Sequence, residues 1–406
     1  VPATAFWSVL VLGVLAGAWY LKQLLSDIGN LLHLLDLGVY QIAGQRVLDG
    51  VSVYDTPLLG HTRGEWEFVY TPFSALLFAP LAKVTGEAFK YVGGIGNFLV
   101  LVVAVWSALA LLNYRRDLRL VVFSVPIAAL LMWCEPVRET MAFGQVNMVL
   151  MALVLVDALL PDSFRGKGVL TGIAAGIKLT PAFFIGYFLF TRRWWAAAVS
   201  AVTFVATVVL GFLVLPHDSK TYWAGAFADP TRVGVPENPS NESLRGMFAR
   251  DVGLAGGWKI VWFLAAALLA LACLWLARRL SFGRQELLAV VLCGLATTLV
   301  SPYSWVHHWV WLGALLVWLL DASLRPRAFG AWLALLVTAF VVSGGVLDLL
   351  GADVGTVLDF PDWHGLEIVY QNAYIWLTVL AFAVVAVRLK KLTASREKES
   401  SSSARS

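Results

Sequence analysis

The chain has 406 residues, is 59% hydrophobic and only 14% charged, and has a mean hydropathy of +0.77, more apolar surface than a soluble domain can bury. Apolar stretches of about 20 residues recur from end to end, which predicts a polytopic all-α membrane protein and excludes a soluble enzyme or nucleic-acid-binding protein. No alternating ten-residue pattern suggests a β-barrel, and the net charge of +4 says little until it is divided between the two sides of a membrane.

The chain begins at Val1, so native residues are expected to precede it, and nothing resembles a cleaved signal peptide. Taken in order, the spans are predicted at 5–25, 91–112, 120–133, 146–160, 196–215, 258–277, 285–300, 309–320, 329–347 and 371–389. Two further apolar segments fit less simply. Residues 72–82 are short, begin with Pro72, and are expected to dip in from the outer side without crossing. Residues 169–190 carry Lys178-Leu179-Thr180-Pro181 at their centre. Proline breaks a helix there, so a hairpin of two short helices is expected, with its tip toward the outer side. Such broken helices usually line a cavity. The total is about 10–12 transmembrane helices in one domain, 1–390, followed by a basic, Ser-rich tail, 391–406, expected to be disordered and cytoplasmic.

Basic residues cluster between alternate spans: Arg115, Arg116 and Arg119; Arg165 and Lys167; Arg192 and Arg193; Arg278, Arg279 and Arg284; Arg325 and Arg327; and Arg388, Lys390 and Lys391. Such clusters mark cytoplasmic loops. Most of the 26 Asp and Glu fall in the intervening segments 26–90, 134–145, 216–257 and 348–370. The 18 Trp suit interfacial belts and also sugar or lipid contacts. Cys134, Cys273 and Cys293 have no metal-ligand spacing and read as packing thiols.

The polar features of interest share the acidic, outer side. The first loop, 26–71, holds Asp36, Asp49, Asp55, His61, Arg63, Glu65 and Glu67. Within it, residues 36–48 have apolar positions at helical spacing, predicting an amphipathic helix on the outer leaflet with Asp36 at its N-terminal end. Asp36 there reads as a membrane-edge functional acid, a solvated loop acid, or a simple N-cap. The segment Glu135-Pro-Val-Arg138-Glu139 runs polar groups into the start of a span, which is costly unless they face a cavity. Lys178 needs a carboxylate or a lipid phosphate as partner. Arg245, in Asn241-Glu242-Ser243-Leu244-Arg245-Gly246, could fork onto a phosphate or form a surface salt bridge. Adjacent His307 and His308 point about 100° apart on a helix. With no third ligand nearby they do not suggest zinc, and read either as partners of a carboxylate or as part of an aromatic belt.

Together these segments resemble glycosyltransferase family 87, membrane enzymes of the C-type (GT-C) fold. The matching pieces are residues 36–40, Tyr70-Thr71-Pro72, Gly144-Gln145-Val146-Asn147, Gly176-Ile177-Lys178-Leu179-Thr180-Pro181, residues 241–246, and Ser301-Pro302 with His307-His308-Trp309-Val310-Trp311. They occur in family order and cover about 30–315. The family usually has two prolines after the tyrosine; here the first is Thr71.

The resemblance implies transfer from a polyprenyl phosphate sugar donor to a glycolipid acceptor on the extracytoplasmic face of the plasma membrane. It is nearest to the polyprenyl-phosphate-mannose-dependent α-1,2-mannosyltransferases of phosphatidylinositol mannoside synthesis. The α-1,2-mannosyltransferases of lipomannan and the arabinofuranosyltransferases of the family remain open, as does a lipid or ion transporter. The implied site has Asp36 as base with His308 or His307 orienting it or sharing its proton. Lys178, Arg245 and Arg138 would meet the donor phosphate, and Tyr40, Tyr70, Gln145, Asn147, Asn241 and Trp305 would contact substrate. No metal or other cofactor is expected, and the chain is expected to act as a monomer.

Overall fold

The computed structural model describes residues 3–60, 66–251, 257–326, 328–344 and 366–403, and among them there are helices and turns but no strand. His61, Arg63, Glu65, Arg327 and most of the acidic segment 348–370 lie outside the described residues.

The chain opens with α1 (Ala3–Ser26), then α2 (Leu35–Asp49), α3 (Pro72–Phe78) and α4 (Glu87–Leu111, with a π turn at Val92–Gly96). Next come α5 (Leu118–Leu131), α6 (Glu135–Phe143), α7 (Asn147–Leu159), α8 (Val169–Ile177), α9 (Phe183–Phe190), α10 (Trp194–Val214) and α11 (Pro216–Ala224). The last third is α12 (Leu244–Asp251), α13 (Trp258–Phe282), α14 (Glu286–Val300), α15 (Trp311–Ser323), α16 (Phe329–Val342) and α17 (Ala373–Ser403).

Phe6–Ser26, Glu87–Leu111, Trp194–Val214, Trp258–Phe282 and Ala373–Lys390 are long and apolar enough to cross a membrane. The other five predicted spans are shorter. The first, α5, ends in a 92° bend into α6. The remaining four are α7, α14, α15 and α16, of 13 to 15 residues each. At 1.5 Å per residue such helices fall short of a hydrocarbon core of about 30 Å. For α14 the reason is visible, since every residue from Leu287 to Leu299 is buried by other helices, whereas in α16 only Ala331, Thr338 and Val342 are buried. A helix wrapped in protein need not match the bilayer, because its ends meet polar protein groups instead of lipid.

The hairpin at 169–190 forms as expected. A Cβ at Gly168, Gly172 or Gly176 would collide in turn with Ala196, Ser200 and Thr207. Hence α8 and α10 run side by side in the same direction, with backbones close along a small-residue stripe. Both ends of the hairpin lie at the basic end of the bundle. Arg193, at its exit, binds Asp162 at 3.1 Å and Glu286 at 2.5 Å. Buried Asp157 caps the N-terminus of α8, accepting from Gly168 N at 2.8 Å and Thr171 N at 3.0 Å. The hairpin turns at Lys178, level with Thr207, about 20 Å along α10 from its start.

Helix α3 starts and ends on the side opposite the basic loops. Thr71 caps it, accepting from Ser74 N at 3.2 Å, while its own hydroxyl donates to Gly176 O at the hairpin tip. A proline at 71 could do neither. α2 is weakly amphipathic and packs against α3 instead of standing free, with Gly44 against the Phe78 carbonyl. The tail from 391, expected to be disordered, continues α17 as helix to Ser403. Its Arg-Glu-Lys-Glu run is compatible with helix, and extension from an existing span avoids the cost of nucleation.

Candidate active site

Away from the basic loops, the helix ends enclose a cavity of about 1730 Å³. Its wall includes Asp36, Tyr70, Gln145, Lys178, His307 and His308. They arrive from five segments, the two histidines together on the turn Val306–Val310.

Asp36 stands in the first turn of α2, and the residue before that helix, Leu34, adopts a left-handed conformation (φ 56°, ψ 33°). That geometry costs a non-glycine residue about 1–3 kcal/mol. It is held by Leu34 N donating to Ala142 O at 2.7 Å and by a side chain packed against Gly93 and Gly144. The N-cap position belongs to Leu34 and no side chain caps the helix, so the N-cap reading of Asp36 is corrected. Its carboxylate instead accepts from Gln145 Nε2 at 2.5 Å.

Gln145 follows Gly144, which ends α6 in the left-handed region (φ 67°). A Cβ there would stand 2.7 Å from the Leu37 Cβ, so α2 can approach only over a glycine. Gln145 Oε1 accepts from Tyr40 OH, from Tyr70 OH at 2.8 Å and from Val146 N at 2.8 Å. The two tyrosine hydroxyls are also 2.8 Å apart. These donors saturate Oε1 and fix Nε2 toward Asp36.

The two histidines serve different partners. His307 Nε2 is 4.0 Å from Asp36 Oδ2 and 3.5 Å from Gln145 Nε2. Its carbonyl receives Thr140 Oγ1 at 3.1 Å and Asn147 Nδ2 at 3.0 Å, and its ring stacks beside Trp305. His308 turns away: Nδ1 accepts from Trp305 N at 3.3 Å, and Nε2 lies 3.0 Å from Lys178 Nζ. Lys178 also donates to Asn147 Oδ1 at 3.0 Å and stands 5.4 Å from the centre of the Tyr70 ring. Its partners are thus neutral groups, with the Asp36 charge nearby.

Burial sets the charge states. It pushes the Asp36 carboxyl up to about 6, with the Gln145 bond and the Lys178 charge pulling partly back. The side chain is 17% exposed and lines the cavity. Burial, then the charge of Lys178, lowers His307 to about 3, so its imidazole is neutral at physiological pH. A neutral ring of that low basicity orients Asp36 better than it would share its proton.

Arg138 lines the same cavity from α6, 3.7 Å from Glu139. Arg245 lines it from α12 but touches neither Asp36 nor Lys178; its guanidinium lies 5.6 Å over the Trp262 ring. Asn241 is not on the wall, which corrects its assignment to substrate. It is fully buried, its amide N–H donating to Pro236 O at 2.9 Å and its carbonyl receiving Ser304 N at 3.1 Å. Its side chain ties loop 236–243 to the strand of chain before the histidines. No sequence signal singles out Leu34 or Thr140; both act through backbone geometry that depends on remote neighbours. Among the described residues, no three His, Cys, Asp or Glu side chains gather as metal ligands.

The profile of glycosyltransferase family 87 matches residues 68–302. A polyprenol-phosphate-mannose-dependent alpha-(1-2)-phosphatidylinositol pentamannoside mannosyltransferase of Mycolicibacterium smegmatis is 34% identical over 336 residues, covering 80% of this chain and 79% of the relative. A polyprenol-phosphate-mannose-dependent alpha-(1-2)-phosphatidylinositol mannoside mannosyltransferase of the same organism is 31% identical, covering 83% of this chain and 80% of the relative. A Mycobacterium tuberculosis protein with that second description is 31% identical, covering 75% and 73%. With this likeness running along most of the chain and an all-α polytopic fold beneath it, the chain belongs to glycosyltransferase family 87 and is a membrane glycosyltransferase of the C-type fold.

Proposed function

We propose that the chain transfers mannose from polyprenyl phosphate mannose to a mannose 2-hydroxyl of a phosphatidylinositol mannoside, with inversion, on the extracytoplasmic face of the plasma membrane. The observation that carries this reading is the carboxylate of Asp36, held by Gln145 in a cavity that is also lined by the buried Lys178. The names of the relatives supply the donor and acceptor classes.

Asp36 takes the proton of the acceptor hydroxyl as that oxygen bonds to the anomeric carbon. The carbon–oxygen bond to the donor phosphate breaks on the opposite face, and its electron pair leaves with the polyprenyl phosphate. One displacement converts β to α, and one base suffices, unlike the two-carboxylate pairs of glycoside hydrolysis. The leaving phosphate gains negative charge that needs a fixed cation. Lys178 supplies it, held by the Asn147 side-chain carbonyl, with Arg138 on the α6 wall as a second source. His307 orients Asp36. Neither the chemistry of these residues nor their arrangement calls for a metal or cofactor, and one chain, 1–390, contains every group named.

The basic loops at the far end of the bundle support an extracytoplasmic cavity. In vitro transfer with polyprenyl phosphate mannose and polyprenyl phosphate arabinofuranose against purified phosphatidylinositol mannosides tests the reading. Mannose transfer with α-1,2 linkage is expected; arabinose transfer alone, or sugar-lipid movement across liposomes without transfer, would overturn it.

A further inference from the structure

The cavity has a second polar station that the Asp36 cluster does not use. Arg245 on α12, Lys259 and Trp262 at the start of α13, and Ser240 and Tyr303 on the adjoining loops all line it. Trp262 Nε1, Tyr303 OH and Ser240 Oγ are buried atoms with no hydrogen-bond partner in the protein. Buried polar groups nearly always have partners, so three unpartnered donors on residues that line one cavity point to a ligand that supplies acceptors. Arg245 forms no salt bridge among the described residues. Glu237 is the acid that acts on it, from beyond salt-bridge reach, and Lys259 adds a second positive charge to the same wall.

The station lies at the edge of a lipid-facing surface. Directly beside Lys259 and Trp262, the α13 residues Ile260, Phe263 and Leu264 are 55% to 67% exposed. Cations and an indole N–H where an apolar helix face begins match the level of a lipid headgroup. The cavity is also larger than the roughly 300–1,000 Å³ that encloses an ordinary small ligand.

We propose that Arg245 and Lys259, with Trp262, Tyr303 and Ser240, form a second anion subsite that takes the phosphodiester of the lipid acceptor, leaving Lys178 to the donor phosphate. This rests on the reaction proposed above, in which each of two lipid substrates carries a phosphate. Separate stations orient the two lipids, so that the acceptor's sugar end reaches Asp36 while its headgroup stays at the membrane edge.

The test uses the purified full chain and compares a phosphatidylinositol mannoside with a neutral alkyl mannoside as acceptors. In Arg245→Gln the preference for the phosphodiester acceptor falls about tenfold, the loss of one charge-assisted contact, through a higher acceptor KM. Arg245→Lys recovers part of it, and Trp262→Phe and exposed Lys259→Gln each show a smaller fall. A rise in donor KM with acceptor KM unchanged would assign Arg245 to the donor phosphate and overturn the proposal. So would a wild-type preference in both Arg245→Gln and Lys259→Gln. If Arg245→Gln does not fold, Lys259→Gln and Arg245→Lys carry the same comparison. Binding of radiolabelled phosphatidylinositol mannoside without donor reads the subsite separately. If wild-type protein binds it but transfers no mannose, the proposed reaction fails and the subsite stands.

Discussion

Gln145 donates to Asp36 at 2.5 Å across 109 residues of chain, and this bond, not a helix cap, fixes the carboxylate. The same amide collects the hydroxyls of Tyr40 and Tyr70 on its oxygen, so the acid, its holder and the two rings move as one unit.

Asp36→Asn keeps the shape and removes the base. Transfer measured in membranes with radiolabelled donor should fall about 10²- to 10⁴-fold in kcat, the usual worth of a positioned general base. Turnover at the wild-type rate would remove Asp36 from the mechanism.

The pH profile follows from burial. The ionised form of Asp36 is disfavoured, so its carboxyl titrates at about 6, above the ordinary 3.8. A base acts when ionised, so kcat/KM should climb as pH rises through about 6 and then level off. For stability the sign is opposite: the protonated form folds more easily, and its contribution, full below about 4, is lost as pH rises through 6. A flat activity profile from pH 5 to 8 would contradict the assignment.

The histidines should part company. His307→Ala loosens Asp36 and should lower kcat with little change in donor KM. His308→Ala frees Lys178 and should raise donor KM, in the same direction as Lys178→Ala. Lys178→Ala itself should cost about 10²- to 10³-fold in kcat, as expected for losing a group that stabilises developing negative charge. Steady-state kinetics with donor and acceptor varied separately distinguish the patterns; identical mild effects of both histidine variants would return them to the aromatic belt.

Gly144→Ala should destabilise the protein by about 1–3 kcal/mol, because alanine meets both a positive φ and the Leu37 Cβ at 2.7 Å. Thermal unfolding in detergent would show a lower Tm, and activity should fall further than Tm predicts, since α2 must retreat from Gln145. Thr71→Val should be milder. It loses the hydroxyl that joins α3 to the hairpin tip, a bond worth about 1 kcal/mol.

Composition and period were enough for the membrane class, the break at Lys178 and the division between basic and acidic ends, because these depend on local hydrophobicity, charge and the missing proline N–H. The motif segments marked Asp36, Tyr70, Gln145, Lys178 and the histidines as worth watching. Their partners were not legible. Asp36 could equally have capped its own helix until the left-handed turn at Leu34 and the glycine at 144 brought Gln145 to it. His307 and His308 are neighbours in sequence, yet one faces the acid and the other the lysine. Asn241 carried the same polar signal as Asn147, but the fold spends it on tying loops together. The span expected at 285–300 falls within a residue of α14, but its surroundings were not legible: it is apolar all round because protein, not lipid, surrounds it. Local chemistry determined which side chains could react. Only tertiary packing, by choosing which backbones approach within a few ångströms, decided which of them meet.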